Sequence, residues 1–307
     1  MKIVEQSYEI LEQEIPVHKL DDYSGYHFRE QYLENMYKHI ERCGRTCYKS
    51  EDKITPDSAK KFVDGLIKSK HLSVLEHGTI YLAMPMEIII PISANGWGKY
   101  LGKYSKSGVV CEINGEKRVA VTTNFRVLVE NNWLDDLQYL CQPTEYHELR
   151  HTALLHSCIH VYKDLTRHRT MSFSIESTRY CNYTKGKFGS ELKFVRLPWT
   201  KIISGDYDSS ILQKLYDDDV MPIEDINFIA SLCSIEETYM YLIKGKWEPQ
   251  QAAEILPQCL AADVIMSGFE SDWRHVFNLR SDIAATGKPH PLVEQLMTPL
   301  RKEMLHE

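Results

Sequence analysis

The sequence predicts an α+β fold. Short apolar runs in the middle of the chain have the length of strands, whereas apolar residues recur at helical spacing towards both ends. The 307 residues, 43% hydrophobic and 26% charged, are typical of a globular chain with one large domain or two small ones. We therefore expect strands in the middle of the chain and helices at both ends.

Charge and composition argue against some classes of binding partner. The formal net charge is -7, which argues against binding to duplex DNA or to an anionic membrane surface. No apolar run approaches the ~18 residues that a spanning helix needs, and four glutamates in residues 1–14 are unlike a signal peptide. Eight cysteines without a CxxC pair are expected to be reduced. The sequence thus predicts a cytoplasmic protein with no nucleic-acid or membrane partner.

The sequence of the first half of the chain predicts two helices, one apolar strand and a β-hairpin. Apolar spacing over residues 29–43 indicates a helix closed by Gly44, and Thr55-Pro56 is expected to open a second helix that ends near residue 70. Residues 79–84 are short and apolar, as in a strand. Residues 109–113 and 117–122 flank Asn114-Gly115, which predicts a β-hairpin with a type I′ turn.

Further elements follow from residue 123 onwards. Residues 123–129, 134–141 and 153–160 predict short elements, and the alternation in the last of these favours a strand. Helical spacing extends over residues 224–246, and a further helix is expected to begin at Pro249. Two more helices are predicted over residues 263–279 and 291–304.

The densest group of hydrogen-bond donors begins at Arg167-His168-Arg169 and continues, after seven residues, at Ser177-Thr178-Arg179. Guanidinium groups bind phosphates or planar imides through two parallel hydrogen bonds and stay charged at physiological pH. From chemistry alone, a solvated basic patch explains these residues equally well. The pattern therefore leaves an anion-binding site and a surface patch as alternatives.

This spacing, RHR-x7-S, resembles the signature of the flavin-dependent thymidylate synthases. Residues 71–77 are similar to the His-x5-His segment of that family, and residues 252–257 and 273–280 are similar to two of its later blocks. The resemblance covers roughly residues 40–80 and 160–305. It implies the ThyX-like fold, with a central mixed or antiparallel sheet flanked by helices. The chain would form one domain over residues 1–307, with a hairpin-bearing insertion at about 85–146.

The resemblance implies a methyltransferase. Such an enzyme reduces FAD with NADPH, takes a one-carbon unit from methylenetetrahydrofolate and converts dUMP into dTMP. Family members are homotetramers whose active sites are shared between subunits. The implied partner is therefore dUMP or a related pyrimidine deoxynucleotide, together with further copies of the chain.

Site residues follow from the resemblance position by position. Arg280 and Ser177 are the expected catalytic residues, with Arg280 against the uracil ring. The residues expected at the flavin are His71, Ser73, Arg167, His168, Arg169, Ser271 and His275, with Phe269 and Glu270 beside them. The residues expected at the nucleotide are Asp164, Arg167, Glu176, Ser177, Thr178, Arg179 and Arg280. No metal site is expected.

Several positions depart from the family pattern. Ala253 replaces an arginine that relatives use at the nucleotide phosphate, and Ile175 replaces a polar residue. Ser174 stands where asparagine is common, and Asp164 stands where glutamine or glutamate is usual. These changes leave two alternatives open. One is a derived enzyme with another pyrimidine nucleotide or another one-carbon chemistry, and the other is a non-catalytic homologue that binds FAD and nucleotide.

A competing motif lies at residues 147–151, which match H-E-x-x-H. On a helix this pattern places two imidazoles on one face, where they bind zinc beside a glutamate base. His156 and His160 offer a further ligand. The strand predicted after His151 argues against this zinc-hydrolase alternative, because the motif requires a helix.

Overall fold

The computed structural model describes residues 1–17, 25–89, 99–113, 116–186, 189–285 and 287–307. Within these ranges, ten strands form three sheets. A four-stranded antiparallel sheet has its strands in the order β2 (Ser7–Ile10), β6 (Arg150–Cys158), β10 (Ala261–Phe269) and β7 (Ser172–Ile175). The α+β class predicted from the sequence is confirmed.

The other two sheets have three strands each. One consists of β8 (Lys193–Val195), β1 (Lys2–Val4) and β9 (Gly205–Asp206), with β1 parallel to β8. The second consists of β3 (Thr79–Pro85), β5 (Glu116–Asn124) and β4 (Lys106–Ile113). The predicted strand at residues 79–84 and both predicted arms of the hairpin are confirmed, and the turn at Asn114-Gly115 lies outside the described residues.

Ten α-helices lie in the described ranges, together with several short 3-10 segments. In chain order, the first five are α1 (Tyr26–Cys47), α2 (Ser58–Lys68), α3 (Met86–Ile89), α4 (Phe125–Glu130) and α5 (Ile159–Leu165). The others are α6 (Leu212–Asp217), α7 (Ile223–Lys244), α8 (Pro249–Ala252), α9 (Glu270–Arg280) and α10 (Pro291–Met304). The helices predicted over 224–246 and 291–304 and from Pro249 are confirmed.

Gly44 does not end α1, contrary to the prediction. The helix continues for another turn to Cys47. A Cβ atom on Gly44 would lie 2.7 Å from a ring carbon of Phe62 and 2.8 Å from a methyl carbon of Val74. Glycine at this position inside α1 therefore allows Phe62 and Val74 to pack close to the helix. A glycine that packs in this way and a glycine that ends a helix look alike in sequence.

The start of α2 also differs from the prediction. The helix begins at Ser58 and not at Thr55-Pro56. The Ser58 hydroxyl accepts a hydrogen bond from the Thr55 amide and donates one to Glu41 of α1. Ser58 thus ties the first turn of α2 to α1, which the local capping pattern could not reveal.

The segment 263–279, predicted as one helix, divides into two elements. Its first part belongs to β10, which ends at Phe269, and α9 begins at Glu270. Val264, Ile265 and Met266 are all buried because β10 is covered on both faces. A strand buried on both faces loses the polar alternation that identifies strands in sequence, so its apolar run predicts a helix and this prediction is wrong over β10.

Different helices cover the two faces of the four-stranded sheet. On one face, Val264 and Met266 pack in a cluster with Trp273 and Phe277 of α9, together with residues of α5 and α10. On the other face, Ile265 packs with Cys43 of α1. We call these the α9 face and the α1 face.

The segment predicted as an insertion supplies β4, β5 and α4, which complete a sheet with β3. The description of the chain as one domain with this insertion stays a prediction. Among the described residues, no helix has the length and apolarity required to cross a membrane.

Candidate functional site

Arg280, the last residue of α9, is held against the end of α5 and the loop that follows it. Its Nε donates a hydrogen bond to His168 Nε2 at 3.3 Å, and its Nη2 donates to the carbonyl oxygen of Asp164 at 3.2 Å. The Asp164 carboxylate lies 3.6 Å from Nη1. Three contacts thus fix the guanidinium on the α9 face of the sheet.

His168 is neutral in this arrangement. Burial, followed by the nearby charge of Arg280 and by His275, lowers the pKa of His168 to about 4. Because Nε2 accepts from Arg280, the ring proton lies on Nδ1. In the contact between His168 and Arg280, the positive charge therefore belongs to Arg280.

The other predicted residues near Arg280 are more open to solvent. Arg167 lies 3.7 Å from the Asp164 carboxylate, and 71% of its side chain is exposed. Arg169 and His275 are also exposed, and the His275 ring centroid lies 5.7 Å from that of His168. The structure thus brings Asp164, Arg167, His168, His275 and Arg280 together, and their assignment to a flavin and a nucleotide stays a prediction.

Ser271 lies in the first turn of α9, where the segment predicted as an insertion approaches. Its amide donates to Glu148 at 3.0 Å, and Lys106 of β4 lies 3.5 Å from its hydroxyl. Phe269 is buried beneath the Lys106 ammonium. Glu270 accepts hydrogen bonds from Arg274 and lies 3.6 Å from His151.

A second group of predicted residues lies at the end of α1. The Ser177 amide donates to the carbonyl oxygen of Cys47 at 3.0 Å. Arg179 stands over the ring of Tyr180, whose centroid is 5.7 Å from that of Tyr48. The Tyr48 hydroxyl in turn lies 3.5 Å from His71 Nδ1. The loop with Ser177 and Thr178 is therefore linked to His71 through two tyrosines, with the exposed Ser73 two residues further on.

These two groups lie on opposite faces of the four-stranded sheet. The Arg280 group contacts α5 and α9, whereas Ser177 contacts α1. Among the described residues, no hydrogen bond or ion pair joins Ser177 to Arg280. The assignment of these residues to one active site stays a prediction.

A cluster of charges around Glu176 adjoins Ser177, and the sequence did not reveal the contacts that form it. Lys49 forms ion pairs with Glu176, at 3.3 Å, and with Asp263. Asp263 also contacts His156 Nδ1 at 2.6 Å, and the Tyr183 hydroxyl donates to Glu176 at 3.0 Å. These five residues line a cavity of about 350 Å³. Their positions in sequence give no hint of the cluster, apart from one aspartate inside an otherwise apolar strand.

The charges in this cluster depend on one another. Burial raises the pKa of Glu176 even though Lys49 opposes the change. Burial also opposes ionisation of Asp263, but hydrogen bonds from His156 and Lys49 keep its pKa below the usual value. Lys49 adopts a left-handed backbone conformation, with φ 46°, that is unfavourable for a lysine. This conformation belongs to the end of α1, where the Lys49 and Ser50 amides donate to the carbonyl oxygens of Thr46 and Arg45.

Two departures from the family pattern have a structural explanation. The Ser174 hydroxyl contacts His77 Nε2 at 2.8 Å, and His77 Nδ1 contacts Ser267 at 2.7 Å. Burial lowers the pKa of His77 to about 3, so a neutral imidazole bridges two hydroxyl groups inside the fold. Ile175 packs against the apolar cluster on the α9 face. The side chains of Ser174 and Ile175 thus both make contacts inside the fold.

The H-E-x-x-H residues do not form a helix. His147 contacts Thr144 and the carbonyl oxygen of Leu82, whereas His151 lies in β6 near Glu270. The strand predicted after His151 is confirmed. Among the described residues, no group of three His, Cys, Asp or Glu side chains is arranged to hold a metal ion. The motif therefore lacks the helical geometry on which the zinc-hydrolase alternative depends.

Comparison with known proteins identifies one family. The sequence pattern of the family described as thymidylate synthase complementing protein (Thy1) matches residues 146–304. No curated protein matches the chain. Among solved structures, the UMP/dUMP methylase PolB from Streptomyces cacaoi bound with 5-Br dUMP has a TM-score of 0.39 and 13% identity, over 99% of this chain and 90% of that one. PolB bound with 5-Br UMP gives a TM-score of 0.40 and 13% identity, over 98% and 89%.

Proposed function

The chain belongs to the thymidylate synthase complementing protein family, whose pattern matches slightly more than half of its residues, and we propose that it methylates a pyrimidine nucleotide with a flavin. In the proposed reaction, NADPH reduces FAD, methylenetetrahydrofolate supplies a one-carbon unit, and dUMP becomes dTMP. The observation that carries this proposal is the fixed position of Arg280 between Asp164 and a neutral His168.

Arg280 has the properties that the methylation step requires. Carbon 5 of uracil becomes nucleophilic as negative charge develops on the ring, and a cation that is already oriented stabilises this charge. The neutral His168 accepts a hydrogen bond from Arg280 and so orients the guanidinium without competing with it for the anionic ring. Asp164 supplies two more contacts to the same group. Arg280 can therefore act on the ring with little rearrangement.

The exposed donors fit a flavin dinucleotide. Arg167 and Arg169 present guanidinium groups to solvent next to the Arg280 group, and such groups bind pyrophosphate through paired hydrogen bonds. Bound FAD would supply the reducing equivalents for the methyl group. His275 and Ser271 lie on α9, the helix that ends at Arg280, where they would contact the cofactor.

The second group would hold the nucleotide from a neighbouring subunit. Ser177, Thr178 and Arg179 lie on the α1 face, so a complete site requires the α9 face of another copy. This arrangement supports the proposal of a homotetramer with shared active sites. Glu176 is less suited to bind substrate than its neighbours, because its carboxylate is already occupied by Lys49 and Tyr183.

The proposal is tested by cofactor binding and by product formation. We expect the purified protein to bind FAD, measured by quenching of flavin fluorescence, and to form dTMP from dUMP when NADPH and methylenetetrahydrofolate are present. Binding of FAD and dUMP without any product would support the non-catalytic alternative. Methylation of another pyrimidine nucleotide in parallel assays would support the derived enzyme. Absence of both FAD binding and product would refute the proposal.

A substitution at Ala253 tests how the nucleotide is held. Ala253 is half-buried at the start of a 3-10 turn, where relatives carry an arginine. We expect Ala253→Arg to tighten dUMP binding ten- to a hundredfold, because a charge-assisted contact to phosphate contributes about 1.5–3 kcal/mol. Calorimetric titration at fixed salt measures the change.

Two controls isolate the phosphate contact. Gln250→Arg adds the same charge on the exposed part of the neighbouring α8 and should leave dUMP affinity unchanged. Deoxyuridine has no phosphate and should gain nothing from Ala253→Arg. Equal affinity of both proteins for dUMP would indicate a pocket rebuilt for a different acceptor. Tight dUMP binding by the unmodified chain would refute the idea that Ala253 leaves a gap in the site.

A further inference from the structure

Two lysines of the inserted segment approach residues expected at the flavin. Lys106, the first residue of β4, lies 3.5 Å from the Ser271 hydroxyl, and its ammonium is 5.3 Å from the centroid of the Phe269 ring. Lys103 donates to the carbonyl oxygen of Arg169 at 3.5 Å. The inserted segment therefore reaches both the RHR motif and the start of α9.

The lysines that approach the RHR motif and the start of α9 are open to solvent. Lys103 and Arg169 are exposed, and 42% of the Lys106 side chain is accessible to solvent. Glu148, 3.7 Å from Lys106, compensates one of these charges. Glu270 does not compensate a second one, because Arg274 and His151 already contact it. A positive patch in a chain of net charge -7 favours an anionic ligand.

The backbone at the start of α9 does not provide this binding. The Ser271 amide already donates to Glu148, and the Glu270 amide donates to the carbonyl oxygen of Leu149. Side-chain cations must therefore hold the anion. Two flexible ammonium groups, one of which reaches the backbone of Arg169, suit a ligand with several phosphate oxygens more than a single carboxylate.

We propose that Lys103 and Lys106 bind the pyrophosphate of a dinucleotide at the flavin site. The inference rests on the proposed function and assigns a role to the inserted segment. Both FAD and NADPH carry a pyrophosphate, so the shared chemistry is that of the dinucleotide phosphates. A pyrophosphate in a dinucleotide carries two negative charges, which the Lys103 and Lys106 ammonium groups would balance.

The test compares flavins that differ in their phosphates. We expect the double variant Lys103→Ala/Lys106→Ala to bind FAD ten- to a hundredfold more weakly than the unmodified chain, measured by fluorescence titration. Riboflavin, which has no phosphate, should bind both proteins equally. Raising the salt concentration should weaken FAD binding to the unmodified chain more than to the double variant.

Matched variants separate this effect from folding. Lys117→Ala removes the same charge from the other arm of the hairpin and should not change FAD affinity. Lys117 lies five residues along β5 from Thr122, the partner of Lys106, which is about 17 Å of strand. Lys103→Arg/Lys106→Arg keeps the charges and should retain most of the affinity. A parallel NADPH titration shows which dinucleotide the lysines bind.

The outcomes distinguish this inference from the proposed function. Weaker binding of FAD or of NADPH by the alanine double variant, with riboflavin unchanged, supports the lysine assignment. Unchanged binding of both dinucleotides overturns it and leaves the proposed function intact. Equal weakening of riboflavin also overturns it, because the loss would not depend on phosphate. Failure of the unmodified chain to bind FAD, NADPH and dUMP overturns both.

Discussion

Replacement of Arg280 by alanine should lower kcat/KM for dUMP by about a hundred- to a thousandfold and leave the affinity for FAD within about twofold. Under the proposed function, Arg280 stabilises the charge that develops on the uracil ring, and loss of one preorganised donor of this kind has such a cost. FAD should remain bound because Arg167 and Arg169, which are assigned to it, stay in place. Steady-state kinetics and flavin titration measure the two quantities.

The same variant should change the titration of His168. Burial and the charge of Arg280 lower the pKa of His168 to about 4 in the unmodified chain. Removal of Arg280 should raise this pKa towards the value of about 6.5 for an unperturbed histidine, although burial still opposes protonation. A histidine with a lowered pKa stabilises the fold above pH 6.5, and this contribution is lost as the pH falls towards 4. The stability lost between pH 6.5 and pH 4 should therefore be smaller in Arg280→Ala than in the unmodified chain. NMR titration of the His168 imidazole measures the pKa itself.

Arg274→Ala is the matched control. Arg274 lies on the same helix but is exposed and pairs with Glu270 and Glu307. Its loss should change neither kcat/KM nor the His168 titration. If Arg280→Ala released the flavin or left turnover unchanged, Arg280 would not act on the nucleotide ring.

The part of the site that could be predicted from sequence is the part encoded in short motifs. Arg167, His168 and Arg169 are consecutive, and Arg280 ends a block that resembles its family counterpart, so both could be found without a structure. The structure places Arg280 Nε 3.3 Å from His168 although 112 residues separate them in the chain. What joins them is the packing of α9 and α5 on one face of the sheet, and no local pattern encodes that contact.

Lys49, His156 and Asp263 could not be predicted for the same reason. They come from the end of α1, from β6 and from β10, and no local sequence pattern links the three positions. The sequence also predicts the wrong element around Asp263, because β10 is buried on both faces and its apolar run indicates a helix. An error in one buried strand thus concealed a whole group of charges.

Lys49→Met should destabilise the fold by about 3 kcal/mol at pH 7. Removal of one partner of a buried ion pair leaves an uncompensated charge, at a cost of about 3–5 kcal/mol, and the partial exposure of Lys49 favours the lower value. Only 3% of the Glu176 side chain and 13% of the Asp263 side chain are exposed, against 27% for Lys49. Urea denaturation at fixed protein concentration measures the loss.

The loss should depend on pH in a way that identifies Glu176 as its source. Asp263 keeps His156 as a partner at 2.6 Å in the variant, whereas Glu176 keeps only neutral donors such as Tyr183. The pKa of Glu176, which burial already raises, should therefore rise further. An acid whose pKa is raised in the folded state destabilises the fold above that pKa, and the penalty disappears as the pH falls below the unfolded value of about 4.3. The stabilities of Lys49→Met and of the unmodified chain should thus differ most near neutral pH and converge towards pH 4.

Lys193→Met removes the same charge from the exposed rim of the same cavity and should cost less than about 0.5 kcal/mol at either pH. A loss in Lys49→Met that is small, or that is equal at pH 7 and pH 4, would show that Lys49 does not balance a buried carboxylate.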